Sequence, residues 1–140
     1  MAEALCRQQI QTINDANPED WSIASAGCWA YPGIPATKSA VITVAKYNAD
    51  LSDHASQPVS ANLLKDYRLM LCMETSHVSF IKRHFPQESE RVFLLSEMID
   101  EYFEVEDPVG KSQADYEVSA REINSIIKNG WKKIVTLSTG

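Results

Sequence analysis

The sequence lacks three features that would place the chain in a special class of protein. No apolar run approaches the roughly 18 residues that a membrane span needs, and the start at Met1–Gln9 is polar, without a signal-peptide core. Basic residues are the minority, 13 Lys and Arg against 19 Asp and Glu, whereas nucleic-acid binding depends on side chains that neutralise phosphates. We therefore expect a cytoplasmic protein that binds neither a membrane nor nucleic acid.

Cysteine, glycine and proline are also scarce. The three cysteines, Cys6, Cys28 and Cys72, are odd in number and far apart, which favours reduced, buried thiols over disulfides, a zinc site or a redox motif. Five glycines and six prolines are too few for a collagen-like or disordered chain. With 44% hydrophobic and 23% charged residues, one globular domain over residues 1–140 should bury roughly two-thirds of its unfolded surface.

Apolar residues alternate along the chain between helical and strand-like spacing. Strands that alternate with helices are typical of a parallel sheet covered on both faces, so the pattern predicts an α/β fold. Helical spacing predicts helices over residues 1–14, 35–48, 60–64 and 75–85 and from Ser112 past Ile134, and short apolar runs predict strands at 21–27, 67–73 and 91–95.

Several of the predicted helices have recognisable end signals. Pro35 can open a helix at its first turn, and Asn48 can end that helix in the left-handed conformation. Ser60 is a good N-cap for a short helix, and Ser112 with Asp115 forms a capping box before the last one.

Six stretches, in this order and spacing, resemble the low-molecular-weight protein tyrosine phosphatases, and together they cover nearly the whole chain. The resemblance implies a three-layer, parallel, flavodoxin-like sheet. It also implies an enzyme that hydrolyses a phosphorylated protein or a small phosphomonoester, with phosphotyrosine as the expected phosphorylated residue. The reaction would pass through a phosphocysteine intermediate and would need no cofactor. The stretches are Met1–Leu5, Ser25–Gly27, Asp50–His54, Leu71–Met73, Arg91–Leu95 and Glu106–Pro108 with Asp115–Tyr116 behind it.

The family's phosphate loop has no counterpart within these residues. In the family, this loop of Cys, five residues, Arg and Ser-Pro follows the first strand and runs into the residues that match Met1–Leu5. We therefore expect a chain truncated before the loop, with the first strand and the phosphate loop absent, and inactive as given. Six positions after the three cysteines stand Thr12, Ile34 and Val78 rather than Arg, so no nucleophile or phosphate clamp can be assigned.

Asp107, in the acidic loop over residues 100–111, is the one catalytic residue that can be assigned. By resemblance it is the general acid, which protonates the phenolate leaving group and then activates water. Pro108 biases Asp107 toward an extended backbone, which helps to present the carboxylate. Spacing alone favours an exposed acidic turn that includes Glu104 and Glu106, and only the resemblance favours the catalytic role.

The resemblance also implies residues that support the site. Ser25 and His54 correspond to polar residues that brace the phosphate loop, although by themselves they suggest a strand-end serine and a turn histidine. Trp29 and Tyr31 correspond to aromatic residues of the substrate cleft, with ordinary packing of the loop against the core as the alternative. Val109-Gly110 stands where animal members carry aromatic residues, which permits a phosphorylated side chain other than tyrosine.

Two histidines and a glutamate outside these stretches are given structural roles. His77 and His84 are seven residues apart on one predicted helix, but no further ligand completes a metal site, so we expect surface residues and no metal. Glu74 follows the central strand and is expected to be a helix cap or a hydrogen-bond partner.

Three other functions or architectures remain open at this point. A non-catalytic scaffold could bind a partner. In a circularly permuted scaffold, residues 132–140 would enter the sheet in place of the first strand and would put Ser138 at the nucleophile position. An arsenate-reductase-like enzyme needs a relay of cysteines, for which Cys72 is a poor candidate.

Overall fold

The computed structural model describes residues 1–13 and 17–139, so position 14 of the first predicted helix and Gly140 lie outside the described residues. In the described part, α-helices surround two short strands, and 3₁₀ turns connect several of these elements. The helices are α1 (Ala2–Thr12), α2 (Lys38–Ala45), α3 (Ala61–Leu64), α4 (Thr75–His84), α5 (Gln113–Asn129) and α6 (Trp131–Thr139), and the strands are β1 (Met70–Cys72) and β2 (Val92–Leu94).

The two strands are parallel and have helices on both faces, which confirms the predicted α/β fold. Met70 lies opposite Val92 and Cys72 opposite Leu94 in the register of the pair. Because side chains alternate between the faces of a strand, the two faces pack against different clusters. Met70, Cys72 and Val92 join a cluster with Leu64 and Ile81, whereas Leu71 and Phe93 pack against a larger one that includes Leu5, Val44, Ile127 and Ile134.

The predicted strand at residues 21–27 does not form in the described structure. Residues 21–26 belong to no strand, and Gly27 makes only an isolated bridge. A side chain satisfies part of this backbone instead, because the Arg7 guanidinium donates a hydrogen bond to the Ile23 carbonyl at 2.5 Å. A β-prone run becomes a strand only beside a neighbour that completes the ladder, and among the described residues this segment has no such neighbour.

The predicted helix signals hold at three positions. The Ser60 hydroxyl accepts a hydrogen bond from the Leu63 amide at 3.1 Å and caps α3. Ser112 and Asp115 form the predicted capping box of α5. Asn48 has a φ of 61°, the left-handed conformation predicted for it.

Two helix boundaries differ from the prediction. Helix α2 begins at Lys38 and not at Pro35, because the Thr37 hydroxyl caps it by accepting a hydrogen bond from the Ala40 amide at 3.3 Å. Pro35 instead pairs with Ala55 in an isolated antiparallel bridge. The last apolar stripe, which the sequence predicts as one helix, is two helices separated at Gly130.

Gly130 allows a close approach between the end of α5 and the 3₁₀ turn at residues 95–99. A Cβ atom at this position would lie 2.7 Å from the Met98 Cβ and 2.8 Å from the Met98 carbonyl oxygen. Trp131, which follows Gly130 and begins α6, packs its ring on Trp21, with the ring centroids 5.2 Å apart. Because residues 131–139 are helical, the permuted alternative with a strand in this tail is wrong.

We predict that Gly130→Ala lowers the free energy of unfolding by about 1–3 kcal/mol, the usual cost of overpacking a close contact. Urea denaturation should show a lower midpoint at an unchanged m-value. The neighbouring Asn129→Ala changes an exposed residue and should stay within about 0.5 kcal/mol of the parent. Equal midpoints for Gly130→Ala and the parent chain would contradict the contact with Met98.

Candidate active site

Ser25 and His54 line one polar cavity of about 540 Å³ beside α1. Glu3 and Arg7 contribute the α1 wall of this cavity. The Ser25 hydroxyl donates a hydrogen bond to one Glu3 oxygen at 2.8 Å, and the other Glu3 oxygen pairs with Arg7 at 2.9 Å. The structure therefore brings together the two residues for which the sequence predicts a bracing role, and it adds Glu3 as the direct partner of Ser25.

Gln57 joins the Ser25 side of the cavity to the His54 side. Its side-chain amide donates a hydrogen bond to the Ser25 backbone carbonyl at 3.0 Å, and its backbone carbonyl accepts one from the Gly27 amide at 3.0 Å. The Val59 amide donates to the Gly27 carbonyl at 3.1 Å. Gln57 cannot be identified from the sequence, because a single amide in a loop has neither a spacing nor a motif that would mark it.

Asp107 lies on an irregular segment that is tied to the end of β1. The Val105 amide donates a hydrogen bond to the carbonyl of Met73, one residue beyond β1, at 2.9 Å. The Asp107 carboxylate is exposed and accepts a hydrogen bond from the Val109 amide at 3.0 Å, while Pro108 between them is buried. Asp107 is thus near the carboxyl end of the parallel strands, the edge at which ligands bind in open α/β sheets.

The amino end of α1 is within electrostatic reach of Asp107. Burial lowers the pKa of the Met1 amino group, and the negative charges of Glu3 and Asp107 act in the opposite direction. The first turn of a helix presents free backbone N–H groups and the positive end of the helix dipole, which together favour anions. An exposed carboxylate and an anion-favouring helix end therefore lie on the same side of the molecule.

Trp29 and Tyr31 lie on a loop that Ser56 holds by four hydrogen bonds. The Ser56 hydroxyl donates to the Tyr31 carbonyl and accepts from the Ile34 amide, the latter at 2.9 Å. Its backbone accepts from the Gly33 amide and donates to the Ile34 carbonyl, both at 2.8 Å. The Trp29 and Tyr31 side chains are 68% and 78% exposed, so neither is buried in the core.

The Trp29 ring rests on α4. Its centroid lies 5.2 Å from that of Phe80 and 6.1 Å from that of His77, and Phe80 in turn lies 4.4 Å from His84. His84 is exposed, as the sequence predicts, whereas His77 is half-buried and lies beside the Trp29 ring. Glu74 is at the N-cap position of α4, but its side chain makes no capping bond and instead pairs with His77 at 3.4 Å.

The cysteines within the described residues are poorly suited to act as nucleophiles. Burial raises the pKa of the Cys6 thiol to about 11 and that of the Cys72 thiol to about 12. Burial also raises the pKa of Cys28. Since the thiolate is the reactive form, these environments oppose nucleophilic attack.

The described residues hold neither a metal-binding cluster nor a helix that could span a membrane. Residues 1–13 and 17–139 contain no group of three or more His, Cys, Asp or Glu side chains arranged to hold a metal ion. Among the helices of this part of the chain, none is both long and apolar enough to cross a bilayer.

We predict that Ser56→Ala speeds hydrogen exchange at the Ile34 amide, in the loop that carries Trp29 and Tyr31, and leaves the Gly33 amide protected. The Ile34 amide loses its hydroxyl acceptor and should exchange with deuterium about two- to tenfold faster, since one hydrogen bond contributes roughly 0.5–1.5 kcal/mol. The Gly33 amide bonds to the Ser56 backbone and should keep its protection. Ser52→Ala, which removes a hydroxyl that donates to Asp50 at 2.6 Å, is the matched control. Unchanged Ile34 exchange would contradict the role of the hydroxyl.

Comparisons with known proteins agree on one family. The family model "Low molecular weight phosphotyrosine protein phosphatase" matches residues 1–136. The chain is 33% identical over 117 residues to the probable low molecular weight protein-tyrosine-phosphatase EpsP of Ralstonia solanacearum, a match that covers 84% of this chain and 74% of that protein. It is 28% identical over 135 residues to the protein-arginine-phosphatase of Bacillus subtilis, covering 96% of this chain and 87% of that protein.

A solved structure gives the same result for the fold. The low molecular weight protein tyrosine phosphatase from T. tengcongensis superposes with a TM-score of 0.86 at 28% sequence identity, covering 94% of this chain and 88% of that one. The resemblance inferred from the six sequence stretches is confirmed. The chain belongs to the low molecular weight phosphotyrosine protein phosphatase family.

Proposed function

We propose that this chain supplies the leaving-group side of a phosphatase that hydrolyses a phosphorylated protein side chain, with phosphotyrosine as the first substrate to test. The observation that carries the proposal is the position of Asp107, exposed on the segment that the hydrogen bond from Val105 to Met73 ties to the carboxyl end of β1. A small phosphomonoester would be an alternative substrate of the same site.

Asp107 has the chemical properties that the acid step needs. A phenolate that leaves phosphotyrosine must gain a proton, and a carboxylic acid on an exposed loop can deliver it and later take a proton from water. The hydrogen bond from Val109 and the buried Pro108 limit the positions that the Asp107 carboxylate can adopt. In this proposal Ser25 and His54 brace the phosphate loop, and Trp29 and Tyr31 line the approach of the substrate.

The nucleophile and the phosphate cradle belong to a segment outside residues 1–140 in this proposal. Phosphoryl transfer needs backbone N–H groups and a bidentate Arg aimed at the equatorial oxygens, and residues 1–140 contain no Cys-x5-Arg sequence. The raised pKa values of Cys6 and Cys72 also argue against either thiol as a substitute. We therefore propose that these residues by themselves do not turn over substrate.

We predict no hydrolysis of p-nitrophenyl phosphate by residues 1–140 and clear hydrolysis by a loop-bearing form, in which a strand and a Cys-x5-Arg-Ser-Pro segment precede Met1. In the loop-bearing form, replacing the added Cys by Ser should abolish turnover. Activity of residues 1–140 alone would contradict the proposed division of the site. No activity in a folded loop-bearing form would favour a non-catalytic scaffold that binds a partner.

Phosphoarginine is a second candidate substrate, supported by the match to the Bacillus subtilis protein-arginine-phosphatase. The residues after Asp107-Pro108 agree with it, because Val109 is exposed and is followed by Gly110 rather than by an aromatic pair that would enclose a phenyl ring. Turnover of matched phosphotyrosine and phosphoarginine peptides by the loop-bearing form would decide between the two.

We predict that Asp107→Asn in the loop-bearing form slows hydrolysis of phenyl phosphate by about a hundredfold or more, within the usual range for a general acid. Hydrolysis of p-nitrophenyl phosphate should fall less, because its leaving group needs little protonation. Glu106→Gln removes a neighbouring exposed carboxylate and is the matched control. Equal losses on both substrates would remove Asp107 from the acid role.

A further inference from the structure

We propose that an aromatic patch on α4 docks an acidic segment of the phosphoprotein substrate, close to the phosphorylated side chain. The patch consists of Trp29, His77, Phe80 and His84. The inference rests on the proposed function, since it identifies which part of a protein substrate the molecule would hold. It adds a face of α4 to the residues that the sequence assigns to the cleft.

The four rings form a continuous surface. On α4, positions 77, 80 and 84 are three and four residues apart and therefore lie on one face of the helix. Trp29 from the neighbouring loop meets Phe80 edge-on, with an angle of 66° between the rings, and Phe80 leads to His84 at 4.4 Å. Trp29 is 68% exposed, so its ring is available to another molecule.

The patch begins at the edge of the sheet that carries the candidate site. His77 is in the first turn of α4, which directly follows β1, and Asp107 is on the segment tied to the same strand end. Phe80 and His84 lie progressively farther along the helix. A polypeptide that presented its phosphorylated residue at this edge could continue along α4 over these rings.

The charge at the carboxyl end of the patch favours an acidic partner. The protein has a net charge of −6, yet α4 contains no acidic residue and its last turn holds Lys82, Arg83 and His84. Arg83 is exposed and lies three positions from Phe80, so it borders the patch. The loop over residues 28–35, which supplies Trp29, has no charged residue. Two carboxylates lie at the opposite, amino end of α4: Glu74 pairs with His77, and Glu104 accepts hydrogen bonds from the Thr75 amide and hydroxyl at 2.8 and 3.1 Å.

Charge alone would not identify a ligand, since cations at the carboxyl end of a helix also offset its dipole. The independent observation is the pair of exposed rings, Trp29 and His84, joined by the half-buried Phe80. Aromatic faces beside a guanidinium suit a segment that combines carboxylates with an apolar or aromatic side chain, because each part then finds a complementary contact. Lys82 has a different position, in a separate cavity with Val78 and Phe93, and so provides a matched comparison for Arg83.

The test measures binding of unphosphorylated peptides to residues 1–140 by fluorescence anisotropy. The probe is a glutamate-rich peptide with one tyrosine, and its control has glutamine in place of every glutamate. We expect the acidic peptide to bind at least about fivefold more tightly at low salt, and the difference to shrink at ~0.5 M salt, where surface charges are screened. The indole N–H signal of Trp29 should shift as the peptide is added.

Arg83→Glu should weaken binding of the acidic peptide by about fivefold or more, because it replaces attraction by repulsion at the border of the patch. Lys82→Glu makes the same change in net charge one residue away and should alter binding by less than about twofold. Phe80→Ala and the milder Phe80→Leu should both weaken binding, with folding checked by circular dichroism. Equal effects of Arg83→Glu and Lys82→Glu would overturn the proposal.

Other results would also overturn the proposal. Equal binding of the acidic and neutral peptides, or no binding of either, would remove the acidic segment as the occupant. Binding to phosphatidylserine vesicles without binding to peptide would assign the patch to a lipid surface. Because the peptides carry no phosphate, a failure here leaves the phosphatase assays unaffected, and inactive loop-bearing protein leaves this binding test unaffected.

Discussion

The candidate site depends on the hydrogen bonds that join the segment 54–59 to residues 25–34. Gln57 holds the Ser25 backbone and Gly27, and Ser56 holds the loop between Tyr31 and Ile34. One short segment therefore fixes two surfaces at once, the polar cavity and the exposed aromatic rings. Because buried or half-buried backbone groups must be paired, a shift of this segment would unpair amides and carbonyls on both surfaces.

The parallel strands provide the second constraint, because they set the direction in which the chain leaves the core. The segment after β1 leads into α4 and places Glu74 and His77 at the sheet edge. Val105 donates a hydrogen bond to Met73 at the same strand end, and this bond holds the segment that contains Asp107 at that edge. Residues far apart in sequence thus share one edge. Family membership and the fold agree with a phosphatase, while the position of Asp107 supports its particular role in the proposed chemistry.

Much of the fold could be predicted from the sequence, because capping side chains and apolar periodicity act locally. Ser60 and Ser112 mark helix starts that need only their own amide partners. The failures have tertiary causes: residues 21–27 lacked a neighbouring strand, and Gly130 broke a continuous apolar stripe where the chain passes close to Met98. For the candidate site, resemblance suggests residues such as Asp107 and Trp29, whereas Ser56 and Gln57 act through contacts that no pattern in one sequence records.

Two shielded cysteines, the half-buried Cys6 and the buried Cys72, have a consequence for tolerance to alkali. Cys6 and Cys72 are favoured as neutral thiols in the folded protein, with pKa values of about 11 and about 12 against an ordinary 9.0. A raised pKa in the folded state means that unfolding lets these groups ionise more easily. The contribution of these two thiols to the free energy of unfolding is therefore complete below pH 9 and is lost as the pH rises through 11 and 12. Strongly basic solutions should therefore destabilise the folded protein by ionising these two thiols.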